Sequence, residues 1–306
     1  MSYIGLNKVN TTSSRLVTGW LVLYCLFAWG CDDAFIDPFK NDGKYYTVYG
    51  FLDESKNFSA GARQAFRIIP VTRRAAQISS ASDPDADFDG RVFLTDVNLE
   101  QTREIPRELR ELEPGIWGHI FETQLFVQPN HVYRLEIMRS DGIIASAETR
   151  VPATSSMRIV QDMPVANADS TIITQDVRID GARSLWELDV IYYTGGASCF
   201  TASPNTISYG RAGAFEDDMW HLQLNLSEDL ATMGLSNANI CSMGLRARIV
   251  DDQWLFPEGT LNLEALTLPQ SLTNVENGYG FFGSMGLFQS DWPLLAEVDA
   301  LLNSGS

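Results

Sequence analysis

The feature that most constrains this chain is a repeat of two. Tyr133, Leu135 and Ile137 alternate with Arg134, Glu136 and Met138. That spacing puts one set of side chains on one face of an extended strand, whereas a helix brings together residues three and four apart. Asp141-Gly142 follows. It predicts a two-residue hairpin turn in which both central residues take positive φ. On the returning strand, Ala145, Ala147, Thr149 and Val151 would share a face.

The same rhythm predicts strands over 45–53, 64–73, 91–99 and 117–127. Six or more strands in the first half, separated by turn signals, point to an antiparallel β-sandwich of immunoglobulin or transthyretin-like type over 45–153. Pro152 closes the last of them, and Ala153 to Ser156 reads as a domain junction. A second β-rich domain is expected over 154–306. There Trp186, Leu188, Val190 and Tyr192 alternate with polar or smaller neighbours, as do Trp220, Leu222, Leu224 and Leu226, and Leu245, Ala247 and Ile249. His221 falls on the wet face of its strand. Helical spacing occurs in two short places. One is 227–235, with Ser227 as its N-cap; the other is 293–302, opened by Pro293 and carrying Leu294, Leu295, Val298, Leu301 and Leu302. The expected class is mostly β: two antiparallel domains, the second with one or two short helices. No internal repeat is visible.

Ahead of this region lies a different pattern. Residues 1–15 carry only Lys8 and Arg15 as charges, and Leu16 to Ala28 carry none. A bilayer core of roughly 30 Å needs about 20 apolar residues to cross, so the run is short for a span and fits the apolar part of a secretory signal. Ala28-Trp29-Gly30 precedes Cys31, as in a bacterial lipoprotein signal cut before a lipidated cysteine. An ordinary signal peptide or a short anchor helix are the alternatives, and Trp29 is bulky for its place. Cys25 would leave with the signal. On the lipoprotein reading 1–30 is the signal, Cys31 carries the lipid, and the polar segment 31–44, with Pro38 and Gly43, is a tether to the membrane.

The chain has 39 acidic and 22 basic residues, a formal charge of −17. Nucleic acid is an unsuitable partner for it, because phosphate contact needs clustered Lys and Arg. An exported chain meets an oxidising compartment, so Cys199 and Cys241 are expected to pair. The three histidines, His119, His131 and His221, lack metal-ligand spacing.

Three stretches imitate chemistry. In 85–96, Asp85, Asp87 and Asp89 alternate, Gly90 is sixth and Asp96 twelfth, a partial calcium loop. The twelfth residue of that motif is normally Glu, and no helix flanks it. An acidic loop running into a strand explains the stretch equally well. Residues 278–283, GYGFFG, match a dinucleotide fingerprint in form, but neither flank supplies its βαβ setting. No hydrolase motif is present, and nothing singles out a catalytic carboxylate pair. No cofactor is expected.

Several of these pieces together resemble a family of outer-membrane lipoproteins known by a domain of unknown function, common in bacteria rich in TonB-dependent receptors. Tyr133, Leu135, Ile137, Ala147, Thr149, Val151 and Pro152 match the end of that family's first domain. Asn274, Gly278, Gly280, Phe282 and Gly283 match its tail. The middle, about 155–265, matches nothing quotable. The resemblance implies an outer-membrane lipoprotein with an Ig-like first domain, assisting a TonB-dependent transporter, and supplies no catalytic residues. It also makes GYGFFG a tightly packed closing strand or turn. The expectation is therefore a non-catalytic envelope lipoprotein that binds a transporter partner or an extracellular ligand, on the periplasmic or the surface face. A structural or adhesive surface protein is the second expectation, and an enzyme with an unrecognised carboxylate site the third. The tail aromatics Tyr279, Phe281, Phe282, Phe288 and Trp292 are expected in the core before any ligand site.

Overall fold

Strands occupy most of the computed structural model, which describes residues 43–71, 78, 80–83, 87–163, 165–167, 172–182, 184–195, 199, 201–210, 212–235, 238–251 and 273–293. In the first half they are β1 (Tyr46–Asp53), β2 (Gln64–Pro70), β3 (Arg91–Asp96), β4 (Gln101–Ile105), β5 (Arg107–Glu113), β6 (Ile116–Thr123), β7 (Val132–Met138) and β8 (Ile144–Arg150). The second half holds β9 (Arg158–Gln161), β10 (Val165–Ala166), β11 (Ile173–Asp180), β12 (Leu185–Gly195), β13 (Ser203–Gly210), β14 (Ala214–Glu216), β15 (Met219–Asn225), helix α1 (Leu226–Thr232), β16 (Asn239–Val250) and β17 (Gly278–Pro293).

Alternation built these strands as expected. Tyr133, Leu135 and Ile137 are buried, and so are Ala145, Ala147, Thr149 and Val151 opposite them. The turn between β7 and β8 departs from the expectation. Arg139 N–H bonds Ile143 O and Gly142 N–H bonds Arg139 O, so Ser140 to Gly142 form a three-residue loop. Only Gly142 has positive φ (83°), and Asp141 instead accepts from Ile143 N–H. This is a hairpin whose αL position is filled by glycine.

Strands β4 and β5 were not legible. Their sequences, QTREI and RELRELE, are charged and mostly exposed because both lie at sheet edges. Charge at an edge deters pairing with other chains, and it also erases the apolar period. In β12 a register shift between Leu185 and Glu187 turns Leu185 into the core, while Trp186 joins a small cluster with Val250 and Phe281. Trp186 therefore does not share the face of Leu188 and Val190. Helix α1 is capped by Asn225, whose side chain accepts from Glu228 N–H. Ser227, the expected cap, instead accepts from Ile173 N–H. The expected helix 293–302 lies outside the described residues beyond Pro293, which ends β17.

Three sheets result. The largest runs β13-β12-β16-β17-β1-β2-β6-β5 and crosses both halves of the chain. A sheet β4-β3-β7-β8 covers one part of it, and a sheet β10-β11-β15-β14, with β9 also on β11, covers the other. Each cover encloses a core. The first gathers Val48, Phe66, Leu94, Phe121, Leu135 and Phe282; Phe66 and Phe282 meet edge-on with centroids 5.7 Å apart. Such a ring pair adds about 1 kcal/mol beyond its buried area. The second core gathers Val177, Leu188, Val190, Leu224, Leu245 and Phe288, with Leu230 of α1.

Strand β17 joins the two. Its first eight residues pair in parallel with β1, from Tyr46↔Gly278 to Asp53↔Met285. Its remainder pairs antiparallel with β16, from Val250↔Met285 to Ser242↔Pro293. The β1–β17 pair is parallel within an otherwise antiparallel fold. GYGFFG is thus the closing strand, packed as the aromatic and glycine pattern implied. Phe281, Phe282, Phe288 and Trp292 are all buried, and Tyr279 is half-buried. Gly280 has φ 84°, and a Cβ there would stand 2.1 Å from Val48 O, so no side chain fits.

Candidate functional site

Cys31 lies outside the described residues. Cys199 and Cys241 form a disulfide with Cα atoms 5.6 Å apart. It ties the connection after β12 to the start of β16 and encloses the β13–β15 region.

Among the described residues of the acidic stretch, Asp89 and Asp96 serve different ends of the first sandwich. Asp85 lies outside the described residues. Phe88 packs against Tyr46, His119 and Phe121 with centroids 5.1–5.3 Å apart, plugging the first core. The next residue, Asp89, accepts from Ser140 N–H (3.2 Å) and Ser140 Oγ (3.0 Å) on the β7–β8 loop. Strand β3 then carries Asp96 to the other end of the sandwich, roughly 20 Å away at about 3.3 Å per residue. There Asp96 pairs with His131 Nδ1 at 2.9 Å and accepts from Asn98 and Leu99 N–H at 3.1 Å. Burial would raise its pKa, but the hydrogen bonds from His131 and Leu99 outweigh burial and hold it low. A calcium loop through Asp89 and Asp96 is therefore corrected: the strand rise separates them. Among the described residues no group of three acidic, His or Cys side chains could hold a metal.

His119 is sealed in the first core with neither ring nitrogen bonded. Burial, helped by Arg107, lowers its pKa to about 4, so it is neutral at neutral pH.

Besides Asp96, three buried carboxylates stand out among the described residues. Asp229 of α1 accepts from Tyr192 Oη (2.5 Å) and Tyr209 Oη (2.7 Å), a clamp inside the second core, and burial raises its pKa. Asp251 follows β16 and accepts from Thr149 Oγ1 (2.5 Å) and Arg150 N–H (3.0 Å) of β8. That contact stitches the two halves together, with Ser284 Oγ 2.8 Å from Thr149 Oγ1. The third, Glu54, is different because it faces a cleft.

Glu54 opens the 3₁₀ turn Glu54–Phe58 that ends β1, and Asp53 caps this turn by accepting from Ser55 N–H. Its Oε2 accepts from Thr154 Oγ1 (2.9 Å) and from Leu287 N–H of β17 (3.2 Å). Its Oε1 has no hydrogen bond among the described residues. The side chain is nevertheless 93% buried by residue, its exposure being 7%. Burial raises its pKa against the lowering effect of its two donors. The cleft is about 620 Å³ and is walled by Thr154, Met157 and Arg158 on one side and Leu287 to Ser290 on the other. Gly286 permits the arrangement, since a Cβ there would reach within 2.9 Å of Glu54 Oε2 and 2.5 Å of Thr154 Cγ2. A carboxyl perturbed by burial that also lines a cleft makes a candidate binding site. Sequence reasoning missed Glu54, because an acid after a strand looks like an ordinary turn residue.

A second exposed feature begins at the last residue of the same 3₁₀ turn, Phe58. Three loops meet there. Asn57 exchanges two hydrogen bonds with Val127 (2.7 and 2.8 Å), and Asn98 Oδ1 accepts from Val132 N–H (2.7 Å). These loops expose Phe58 (75%), Leu99 (51%) and Phe126 (58%).

No family model matches the chain, and no curated protein matches it. Among solved structures it is similar to the FN1–FN3 fibronectin domains of chicken CNTN1 at 12% identity and a TM-score of 0.25. The match covers 67% of this chain and 61% of that one. A likeness at that level carries no argument about function.

Proposed function

We propose that the protein is a non-catalytic binding module of the cell envelope, held at the outer membrane through Cys31 and acting as accessory to a TonB-dependent transporter or as the receptor of an extracellular ligand. The observation that carries binding is the cleft lined by the buried carboxyl of Glu54. The apolar run before Cys31 and the resemblance to TonB-associated lipoproteins support the location and the partner class. In-cell cross-linking followed by mild detergent extraction tests this, beside a Cys31→Ala control. Recovery of a TonB-dependent barrel with the wild type, and its loss with the control, is the expected result. Extraction of the protein alone overturns the transporter reading. The exposed Phe58, Leu99 and Phe126 favour an adhesive surface as the second reading. Adhesion lost with Phe58→Ser and Phe126→Ser, and untouched by changes in the cleft, would establish that reading instead.

A further inference from the structure

The edge of β17 that borders the cleft is half used. Strand β1 ends at Asp53, opposite Met285, while β17 continues to Pro293. From Gly286 on, β17 pairs only with β16, and its other edge meets no strand among the described residues. Leu287 N–H points out of that edge, because it reaches Glu54 Oε2. Main-chain groups in a strand repeat every second residue. The N–H and C=O of Gln289 and Asp291 therefore point the same way, and Gln289 lines the cleft. The lining also holds Arg158 and Ile159 of β9, which among the described residues pairs with β11 alone. The cleft is thus a slot along strand backbone that meets no partner strand among the described residues, with a buried acid in its lining.

We infer that this slot takes an extended, basic peptide segment of the partner protein, which adds as a strand to Leu287–Asp291 and places a lysine or arginine at Glu54 Oε1. Strand addition uses the main-chain donors and acceptors already aimed outward, and it is a recurrent mode of peptide capture. Charge selects the segment. Glu54 is desolvated with Asp53 as the charge acting on it, Arg158 is the one basic residue among the described lining, and the chain carries a formal −17, so a basic strand is attracted while an acidic one is repelled. Gln289 and Asp291 offer the open donors of a ladder for about five residues of guest, Leu287 adding its C=O while its N–H stays on Glu54. The inference rests on the binding-module reading and narrows its partner.

The test uses the full chain and a short acetylated peptide alternating valine and lysine. Amide hydrogen exchange is followed at Gln289 and Asp291, and affinity by titration calorimetry. Peptide binding should slow exchange at both amides. A peptide N-methylated at alternate residues, which cannot complete the ladder, should bind about ten-fold more weakly. Gln289→Pro removes one outward N–H at an edge where proline is tolerated, and should weaken binding similarly. Glu54→Gln should weaken the lysine peptide while leaving an alternating valine–serine peptide unchanged. Equal binding of plain and N-methylated peptides overturns the inference without any variant needing to fold. Slow exchange at Gln289 and Asp291 before any peptide is added also overturns it, since the edge would already be occupied. Cross-linking separates this from the wider reading. A barrel captured equally by wild type and Gln289→Pro ends the slot and keeps the binding module, whereas no capture by either ends the module.

Discussion

The two halves of β17 have the same strand geometry and opposite neighbourhoods. Along Gly278–Met285 one edge pairs with β1. On the other edge, Asn274 accepts from Phe282 N–H (2.9 Å) and donates to Phe282 O (2.6 Å), and Asp251 N–H bonds Ser284 O (3.0 Å). Along Gly286–Pro293, β16 fills one edge, and among the described residues the other meets no strand and holds the Glu54 hydrogen bond to Leu287. A strand satisfied on both edges is structural. One satisfied on a single edge, beside a buried acid, is free to take a guest. The two cores differ in parallel: the first is held by ring packing around Phe282, the second by a disulfide and the Tyr192–Asp229–Tyr209 clamp.

The largest effect is expected on the second core. Cys199→Ala with Cys241→Ala opens a loop of 42 residues, which the chain-entropy model values at about 4 kcal/mol. Urea unfolding measures this loss. Because β17 belongs to both cores, the transition should stay single; two separate transitions would show that the strand does not couple them.

Gly280→Ala should cost about 3 kcal/mol, since both the positive φ and the Val48 carbonyl oppose a side chain. The same change at Gly286 should cost only about 1 kcal/mol, because the atoms it meets are the side-chain ends of Thr154 and Glu54, which can move. Equal costs at the two sites would erase the contrast between the halves.

His119 sets an acid limit on the first core. Its pKa is about 4 in the fold against 6.5 as the ordinary value, so the unfolded chain takes the proton first. Its contribution is complete above pH 6.5 and is lost as pH falls towards 4, about 3 kcal/mol in all. His119→Phe should flatten stability across that window and, by removing two unbonded buried nitrogens, raise it at neutral pH. A variant with an unchanged acid limb would place the titration elsewhere.

Asn274→Ala should cost about 2 kcal/mol by leaving Phe282 N–H and C=O unpaired. If exchange at Phe282 N–H is not accelerated, the closed edge does not depend on Asn274.

Legibility followed burial. Where one face of a strand is buried, as in β7, β8 and β16, period two was plain in the residues, and the sandwich class with it. Edge strands β4 and β5 were opaque because their charges serve the edge and not the core. The acidic run 85–96 left a partial calcium loop and an acidic loop entering a strand equally open, because spacing along the chain says nothing of where a strand will carry Asp96. Glu54 was invisible because its environment is made by Thr154 and Leu287, far along the chain.

What the residues determined alone was local: extended segments with one apolar face, the glycines of the closing strand, and a pair of cysteines. What only the tertiary structure decided was who lies beside whom. That β17 would pair in parallel with β1, carry two cores and leave half an edge open depends on distant apolar faces meeting in space. Periodicity records which way a side chain points, whereas strand partnership is a contest among long-range contacts that no short stretch of sequence contains.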